Sequence, residues 1–366
     1  MKDLNFPIFE YKKGQSLFDS GKQHGEEFRE SIHELAKIRR ELMLKKNPAL
    51  AKEIPSLAKQ QWNMNEKFMP ILNQELDGIC QGANISQEDI VILNNYTDFR
   101  DITLPDEGCS TVYFNKEGSS YSGQTWDMHG SAQNFLCLLK IHPSKEYPEQ
   151  EMLVFTLVGC LALMGINNDG VLVGVNNINT TDAKPGIIWP ALVRETLNGK
   201  NFNEAKKILH SLPVTSGHNY ILSDSKSGGH YEITPTVQDV IGEASDESPG
   251  IVYHTNHCLG ANVQKIENKE SQSSTSHARE SLLKELVPKV KTFDDFVGVF
   301  KSHEGYPKSI CSHFETGALD PSFTCGAGAI DYQSNNIIFW RGCAEHTGNY
   351  VEHKFNLKEK TFQRLG

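Results

Sequence analysis

The sequence predicts an α+β fold in which antiparallel sheets stack on each other and helices lie outside them. Apolar residues recur at helical spacing through the first hundred residues. From Cys109 onward the sequence changes to short runs of β-branched and aromatic residues, and turn-forming residues separate these runs. A chain of 366 residues is long enough for one large domain or two ordinary ones.

Three helical segments are predicted before residue 100. In residues 28–42 apolar side chains recur at intervals of four, three and seven residues, and residues 62–79 show the same kind of pattern. Ser86 precedes an apolar run and is followed three residues later by Asp89, an arrangement typical of a helix N-cap. The helical block ends at the turn-forming cluster 105–108.

The remaining residues alternate between strand and helix patterns. Turn-forming sequences at 115–118 and 167–170 predict hairpins, and hairpins imply antiparallel pairing. The predicted strands are 109–114, 121–126, 135–141, 152–158, 171–175, 220–224, 230–234, 251–254, 327–332 and 336–340. The predicted helices of this part are 189–197, 202–209, 277–287 and 293–303.

Composition limits the classes of partner. Lysine and arginine total 36 residues against 46 acidic ones, a net charge of −10, which argues against nucleic acid or an anionic membrane as the partner. The first ten residues lack a secretory-signal pattern and no run of about 18 apolar residues occurs, so a soluble cytoplasmic protein is expected. The eight cysteines include no C-x-x-C pair, which favours reduced thiols over a disulfide framework or a zinc site.

Gly108 and Cys109 stand at the boundary between the helical and the strand-rich blocks. A cysteine before a strand is, taken alone, more often a buried structural thiol than a nucleophile. Gly108 has no Cβ, so its carbonyl can adopt a strained geometry and be approached closely by a thiolate. The two acidic residues before it indicate a loop that solvent can reach.

Several short blocks around this boundary resemble one known family. The principal block is Gly108-Cys109-Ser110-Thr111-Val112-Tyr113, followed by Gly123-Gln124-Thr125-Trp126-Asp127. Residues 21–26 and 75–83 resemble that family's two N-terminal helix signatures, and residues 165–177, 218–220 and 253–257 match later blocks in the same order. On these blocks the chain resembles the acyl-coenzyme A:6-aminopenicillanic acid acyltransferase family, also called the isopenicillin N acyltransferase-like hydrolases.

The resemblance implies a four-layer αββα fold of the N-terminal-nucleophile hydrolase type. It implies a precursor that cleaves itself before Cys109, leaving an α fragment, 1–108, and a β fragment, 109–366, which stay associated. The Cys109 thiol would attack the Gly108 carbonyl, and the new α-amine, with a pKa of about 8, would then serve as general base for its own thiol. A small amide or thioester is the expected substrate, and no metal or organic cofactor is expected.

The same resemblance assigns roles to other residues. Asp127 is expected to orient the amine or thiol, and Asn256 to donate its side-chain amide to the tetrahedral intermediate as part of an oxyanion hole. Four further residues are candidates to line or support the pocket: Thr125, Asn177, His254 and His257. The family also carries an arginine near the nucleophile in an Ile-Cys-Arg tripeptide, whose arginine position is occupied by Ser312 in this chain. Either Arg100 or Arg341 replaces that cation, or the site tunes its cysteine in another way.

Two alternatives use different chemistry. His254 beside Asn256 permits an unprocessed thiol hydrolase in which a histidine is the base for Cys109. A metal bound by His254 and His257 is the weaker idea, because no third ligand is near them in the sequence. The serine at position 312 also leaves open a catalytically silent binding protein on the same fold.

Overall fold

The computed structural model describes residues 3–99, 108–271, 275–313, 320–345 and 349–365. Two β-sheets lie face to face, and helices cover both outer faces, so the predicted four-layer αββα arrangement of the α+β class is confirmed. In the described ranges the α-helices are α1 (Leu17–Glu27), α2 (Arg29–Lys46), α3 (Ile54–Phe68), α4 (Pro70–Ala83), α5 (Gln87–Asn95), α6 (Trp189–Thr196), α7 (Phe202–Ser211), α8 (Ser276–Leu286) and α9 (Phe293–Phe300).

The strands form one sheet with the order β1-β4-β5-β6-β7-β8-β9-β10 and a second with the order β11-β2-β3-β12-β13-β14-β15. Their bounds are β1 (Ile8–Tyr11), β2 (Thr111–Lys116), β3 (Ser119–His129), β4 (Leu136–Ile141), β5 (Met152–Leu157), β6 (Met164–Asn167), β7 (Leu172–Asn177), β8 (His218–Ser223), β9 (Ser227–Ile233), β10 (Gln238–Ser245), β11 (Gly250–His254), β12 (Ser322–Asp331), β13 (Asn336–Arg341), β14 (Val351–Lys358) and β15 (Thr361–Leu365). The described pairs are antiparallel except β1 with β4, which are parallel.

Side chains of β2 alternate between the two faces of the second sheet, and each face packs into a different part of the core. Tyr113 points inward, where its ring lies so close to Gly228 of β9 that a Cβ there would come within 2.4 Å of it. Val112 and Phe114 point outward and pack against α8 and α9. Because side chains of a strand alternate between faces, Cys109 lies on the inward side with Tyr113.

The predicted helices before residue 100 are present with one correction. The pattern in 62–79 spans two helices, α3 and α4, because Pro70 has no amide hydrogen and is suited to the first turn of a new helix. The predicted N-cap of α5 is confirmed, since Ser86 Oγ accepts from the Asp89 amide at 3.0 Å.

The two N-terminal blocks singled out in the sequence are α1 and α4, which cross at very short distance. A Cβ at Gly21 would lie 2.2 Å from the Glu75 carbonyl oxygen, and one at Gly25 would lie 2.4 Å from the Ile79 carbonyl oxygen. On the other helix, a Cβ at Gly78 or Gly82 would meet the backbone of α1 at 2.1 or 2.0 Å. Glycine at these positions is therefore required by the close helix packing.

A buried polar network joins the N-terminal helices to the rest of the chain. Glu75 accepts from Tyr11 Oη at 3.0 Å and pairs with Arg194 Nη2 at 3.2 Å, and both charged groups are fully buried. The Gly159 amide donates to His24 Nε2 at 2.9 Å, and burial lowers the pKa of His24 to about 3, so this ring is a neutral acceptor. Among the described residues, no helix is both long and apolar enough to cross a membrane.

Candidate active site

Cys109 immediately precedes Ser110 and β2, a strand that lies between β3 and β11 in the second sheet. The Ser110 amide donates to Thr125 Oγ1 at 2.9 Å, and the Thr125 amide donates back to the Ser110 carbonyl at 2.9 Å. Thr125 therefore fixes the backbone next to the cysteine from the neighbouring strand. Cys109 is buried, with 7% of its surface exposed.

The backbone nitrogen of Cys109 donates to Asn256 Oδ1 at 2.7 Å. Asn256 follows β11, and its backbone N–H donates to Ser276 Oγ, at the start of α8, at 2.8 Å. Its side-chain Nδ2 donates to the Asn177 carbonyl at 2.9 Å. These neighbours fix the orientation of the amide, because a donor faces Oδ1 and an acceptor faces Nδ2.

Arg279 supplies a cation to this site. From α8, Nη1 donates to the Cys109 carbonyl at 2.7 Å and to Ser110 Oγ at 3.1 Å, and Nη2 donates to Asn256 Oδ1 at 2.9 Å. Nε donates to Thr275 Oγ1 at 3.1 Å, which holds the guanidinium plane in place. Burial lowers the pKa of Arg279, and the nearby charges of Asp127 and Cys109 oppose that shift.

Gly108 packs directly against this guanidinium. A Cβ at position 108 would lie 2.5 Å from Nη2 of Arg279 and 2.8 Å from its Cζ. No real Cβ makes contacts this short, so a larger residue would displace the arginine. The need for glycine here comes from this close contact with a cation.

Asp127 lies on β3, two residues after Thr125, and is buried with 3% of its surface exposed. It is paired in register with Thr324 of β12. Asp127, Cys109, Asn177 and Asn256 line one cavity of about 30 Å³, together with Thr97, Trp126, Met128, Val175, Trp189 and His218. The structure thus brings these four predicted residues together, with Thr125 supporting them from β3.

The two histidines beside Asn256 point elsewhere. His254 is fully buried, its Nε2 lies 2.7 Å from Glu232 Oε1, and its Nδ1 lies 2.7 Å from the Thr255 carbonyl. His257 Nδ1 lies 2.7 Å from Ser276 Oγ, and its Nε2 lies 3.3 Å from Glu280 Oε2. Neither ring is directed at Cys109, and the two rings do not converge on one point.

The expected replacements for the family arginine were Arg341 and Arg100. Arg341 donates to the Gln133 carbonyl at 3.1 Å and to the Asn349 carbonyl at 3.0 Å, and it pairs with Asp3, so it supports another part of the sheet. Arg100 lies outside the described residues. Ser312 donates its amide to Thr324 Oγ1 at 2.9 Å, which places it beside the strand that pairs with Asp127.

The sequence analysis misses Arg279, although one signal marks it. Ser276, Arg279 and Leu283 form the buried face of α8 at intervals of three and four residues. An arginine in the apolar stripe of an amphipathic helix needs a buried partner, because an unpaired charge is costly to bury. The sequence alone does not say which partner it has.

The arrangement suits attack of a thiol on a carbonyl carbon: a buried cysteine, amide side chains and a carboxylate line one cavity, and the Arg279 guanidinium binds the cysteine carbonyl beside it. The fold and this site define an enzyme of the acyl-transfer or amide-hydrolysis class. Residues 114–318 match the family model described as acyl-coenzyme A:6-aminopenicillanic acid acyl-transferase. The chain belongs to this family.

Other comparisons give individual proteins to which the chain is similar. It is 27% identical, over 276 residues, to the 40 kDa form of acyl-coenzyme A:6-aminopenicillanic-acid-acyltransferase of Emericella nidulans, covering 73% of this chain and 72% of that protein. Penicillin V acylase from Agrobacterium tumefaciens is similar with a TM-score of 0.37 and 13% identity, over 70% of this chain and 98% of that one. A variant of conjugated bile acid hydrolase from Clostridium perfringens has a TM-score of 0.39 and 12% identity, over 70% of this chain and 96% of that one.

Proposed function

We propose that this protein is a self-cleaving cysteine N-terminal-nucleophile enzyme that hydrolyses or transfers the acyl group of a small N-acyl amide or thioester. One observation carries the proposal. The nitrogen of Cys109 is held by Asn256 Oδ1 at 2.7 Å while Arg279 holds the carbonyl of the same residue at 2.7 Å. Both ends of the residue are therefore fixed, and the atom that would become the α-amine already has its partner.

Self-cleavage begins with attack of the Cys109 sulfur on the Gly108 carbonyl carbon. A carbon–sulfur bond forms, the carbon–nitrogen bond breaks, and the nitrogen takes up the thiol proton to become an amine. Water then hydrolyses the thioester, which releases Gly108 as a carboxylate and restores the thiol. The fixed guanidinium stands against Gly108, where positive charge favours the oxygen that becomes negative in the intermediate.

The mature site uses the same groups on an external substrate. An α-amine with a pKa of about 8 accepts the thiol proton, so that nucleophile and base belong to one residue. Asn256 Oδ1 keeps its hydrogen bond to that nitrogen. An amide nitrogen carries two hydrogens, and Nδ2 uses one on the Asn177 carbonyl, which leaves the other for the oxyanion of the substrate.

Asp127 completes the charge balance in this proposal. Its charge opposes the effect of burial on the Arg279 guanidinium, so it offsets part of the cost of burying that cation. Asp127 also lines the cavity with Cys109, where a carboxylate stabilises the protonated amine that forms during turnover. The role assigned to it is to orient and stabilise the amine, and the role of Thr125 is to hold the backbone of Ser110.

In the uncut chain the cavity beside Cys109 is too small for an acyl substrate. A volume of about 30 Å³ accommodates a water molecule, whereas small-molecule sites usually occupy about 300 Å³ or more. Gly108 is buried beside Arg279 and directly precedes Cys109, which lines this cavity. Its release after cleavage would open the acyl site, so the chain is its own first substrate.

Contacts across the proposed cleavage point explain why the fragments 1–108 and 109–366 would stay together. Strand β1 of the first fragment pairs with β4 of the second in one sheet. Glu75 and Arg194, one from each fragment, form a buried ion pair at 3.2 Å. Separating the fragments would expose the core beneath α1 to α5, so cleavage of one peptide bond does not free either part.

The test is the intact mass of the purified protein. Wild type should contain the two fragments divided between Gly108 and Cys109, and Cys109→Ala should remain a single chain. Cys80→Ala is the matched control, because it removes another buried thiol, on α4, and should be cleaved like wild type. A full-length wild-type chain that hydrolyses amides would instead support the unprocessed cysteine–histidine enzyme, and a full-length inert chain would support a binding protein.

Substrate class is tested on the processed protein with a panel of N-acyl amines and acyl thioesters. Released acid and transferred acyl groups are separated by mass spectrometry, with water and a small amine as competing acceptors. Turnover by wild type that Cys109→Ala lacks supports the proposal. Equal conversion by both proteins would assign the activity to a contaminant or to another site.

A further inference from the structure

A cluster of two histidines and two cysteines lies outside the site described above. His303 follows α9, Cys311 and His313 belong to the segment that precedes β12, and Cys343 follows β13. One ligand atom from each of these four residues lies within 4.8 Å of every other. Cys311, His313 and Cys343 are buried, and His303 is partly exposed.

The distances in this cluster match a tetrahedral metal site. His303 Nε2 lies 3.2 Å from His313 Nε2 and 3.4 Å from Cys343 Sγ, and His313 Nε2 lies 3.4 Å from Cys311 Sγ. With Zn–N of about 2.0 Å and Zn–S of about 2.3 Å, a tetrahedron has edges of about 3.3 Å between two nitrogens and about 3.5 Å between nitrogen and sulfur. The other pairs of ligand atoms lie within 4.8 Å, so small shifts of the side chains would let one ion bind all four.

The surroundings of the ligands have the form of an outer coordination shell. The Nδ1 atom of His303 lies 3.2 Å from Glu345 Oε2, so a carboxylate orients the ring while Nε2 faces the cluster. Such a carboxylate–histidine contact is the usual second partner of a metal-bound imidazole. The Cys311 amide donates to the Ser302 carbonyl at 3.0 Å, which brings the two ends of the segment 302–311 together.

We propose that His303, Cys311, His313 and Cys343 form a structural zinc site. Two thiolates and two imidazoles in tetrahedral positions are the donor set that Zn²⁺ prefers over Mg²⁺, Ca²⁺ and Mn²⁺, which favour oxygen ligands. Four protein ligands close the coordination sphere and leave no position for a substrate, so the ion stabilises the fold and performs no chemistry. This inference replaces the sequence-based expectation that the chain binds no metal.

The site would tie the segment before β12 to the end of β13. Cys343 lies two residues beyond β13, and the intervening Gly342 has a φ of 73°, a left-handed conformation that glycine adopts without strain. The same segment carries Ser312, whose amide donates to Thr324 Oγ1 opposite Asp127. A bound ion would therefore stiffen the backbone on the far side of the strand that pairs with Asp127.

The first measurement is the metal content of full-length protein purified without chelators. Elemental analysis should give about one zinc per chain, and replacement by Co²⁺ should give the absorption bands of tetrahedral cobalt with thiolate charge transfer. Wild-type protein that neither retains zinc nor binds added zinc would overturn the proposal. So would a wild-type mass lower by the two thiol hydrogens of Cys311 and Cys343, because a disulfide between them removes both thiolates.

Variants then assign the ligands. His303→Asn and Cys343→Ser should each weaken zinc binding at least ~100-fold in competition with a chromophoric chelator, since even a lost outer-shell partner costs about 10- to 100-fold. His303→Asn alters the partly exposed ligand and serves if the buried cysteine variant does not fold. His277→Asn is the control, because His277 belongs to a separate group with His257 and Glu280. Unchanged zinc affinity in folded His303→Asn, or loss of zinc in the control alone, would refute the assignment.

Discussion

Replacing Arg279 should slow self-cleavage by more than the accompanying loss of stability explains. Arg279→Met removes the charge-assisted hydrogen bonds to the Cys109 carbonyl and to Asn256 Oδ1. Each such bond stabilises the folded precursor by about 1.5–3 kcal/mol, and this loss of stability has to be separated from the effect on rate. Loss of one buried donor to a developing oxyanion usually slows a reaction by about 10² to 10³, so cleavage by the folded variant should slow by about that factor.

The assay follows the chain as it is made. Cell-free synthesis with a labelled pulse and an unlabelled chase gives the fraction of the 109–366 fragment against time. Arg279→Lys is the conservative variant, which keeps the charge and loses the planar fork, so it should fall between wild type and Arg279→Met. Arg194→Lys is its matched control, because Arg194 is equally buried but pairs with Glu75 in another part of the fold.

The control separates positioning from stability. If both lysine variants are destabilised alike, as measured by thermal unfolding of Cys109→Ala precursors, only Arg279→Lys should still show slow cleavage. The proposed role of Arg279 is refuted if folded Arg279→Met forms fragments within threefold of the wild-type rate. It is also refuted if Arg194→Lys slows cleavage as much as Arg279→Lys does, since the effect would then follow stability alone.

Two further predictions concern Gly108 and Asp98. Gly108→Ala places a Cβ 2.5 Å from Arg279 and should slow fragment formation at least ~10-fold. Gly298→Ala is the control and should be cleaved normally, because its Cβ meets nothing within 4 Å. Equal rates of cleavage in the two variants would contradict this prediction. Burial raises the pKa of Asp98 to about 7, so wild type should lose up to about 4 kcal/mol of stability as pH rises from about 4 to above 7. Asp98→Asn cannot ionise, so its free energy of unfolding relative to wild type should improve across this range, and a constant difference in denaturant titrations would exclude the shift.

The hairpins and helices were predictable because their signals are local. The turn between β2 and β3 has Glu117 and Gly118 at φ of 55° and 80°, which the turn-forming sequence at 115–118 anticipates. The turn at 167–170 likewise lies in an antiparallel hairpin, although the strand before it is β6, which is absent from the predicted strands. The strand order was not predictable, since pairing between β3 and β12 depends on residues far apart in the sequence.

The strands that the sequence analysis misses are those with weak local patterns. β1 lies in a segment otherwise helical, and its parallel pairing with β4 joins distant parts of the chain. β10 is mostly exposed or partly exposed and has a bulge before Gly242, so neither face presents a continuous apolar pattern. β14 and β15 form a hairpin over Glu359 and Lys360, which take positive φ without the glycine or asparagine that usually marks such a turn.

Only those site residues whose role requires one particular residue type at one position were predictable from the sequence. Cys109, Asp127 and Asn256 are assigned through the resemblance, and the structure brings them to one cavity. The cation of the site is not assigned in this way, because a guanidinium reaches several ångströms from its backbone and can enter the site from any neighbouring element. Arg279 enters from α8, well before Ser312, where the family pattern places an arginine.

Arg279 and the proposed zinc site together explain how a serine can stand at position 312 in an active enzyme. Ser312 stands between two proposed ligands, Cys311 and His313, and its backbone amide is held by Thr324 Oγ1. Because α8 supplies a guanidinium, the segment around Ser312 does not need to provide a charge. This segment can then act as a scaffold, and a metal that fixes it would support Asp127 through β12 without contacting the reacting atoms.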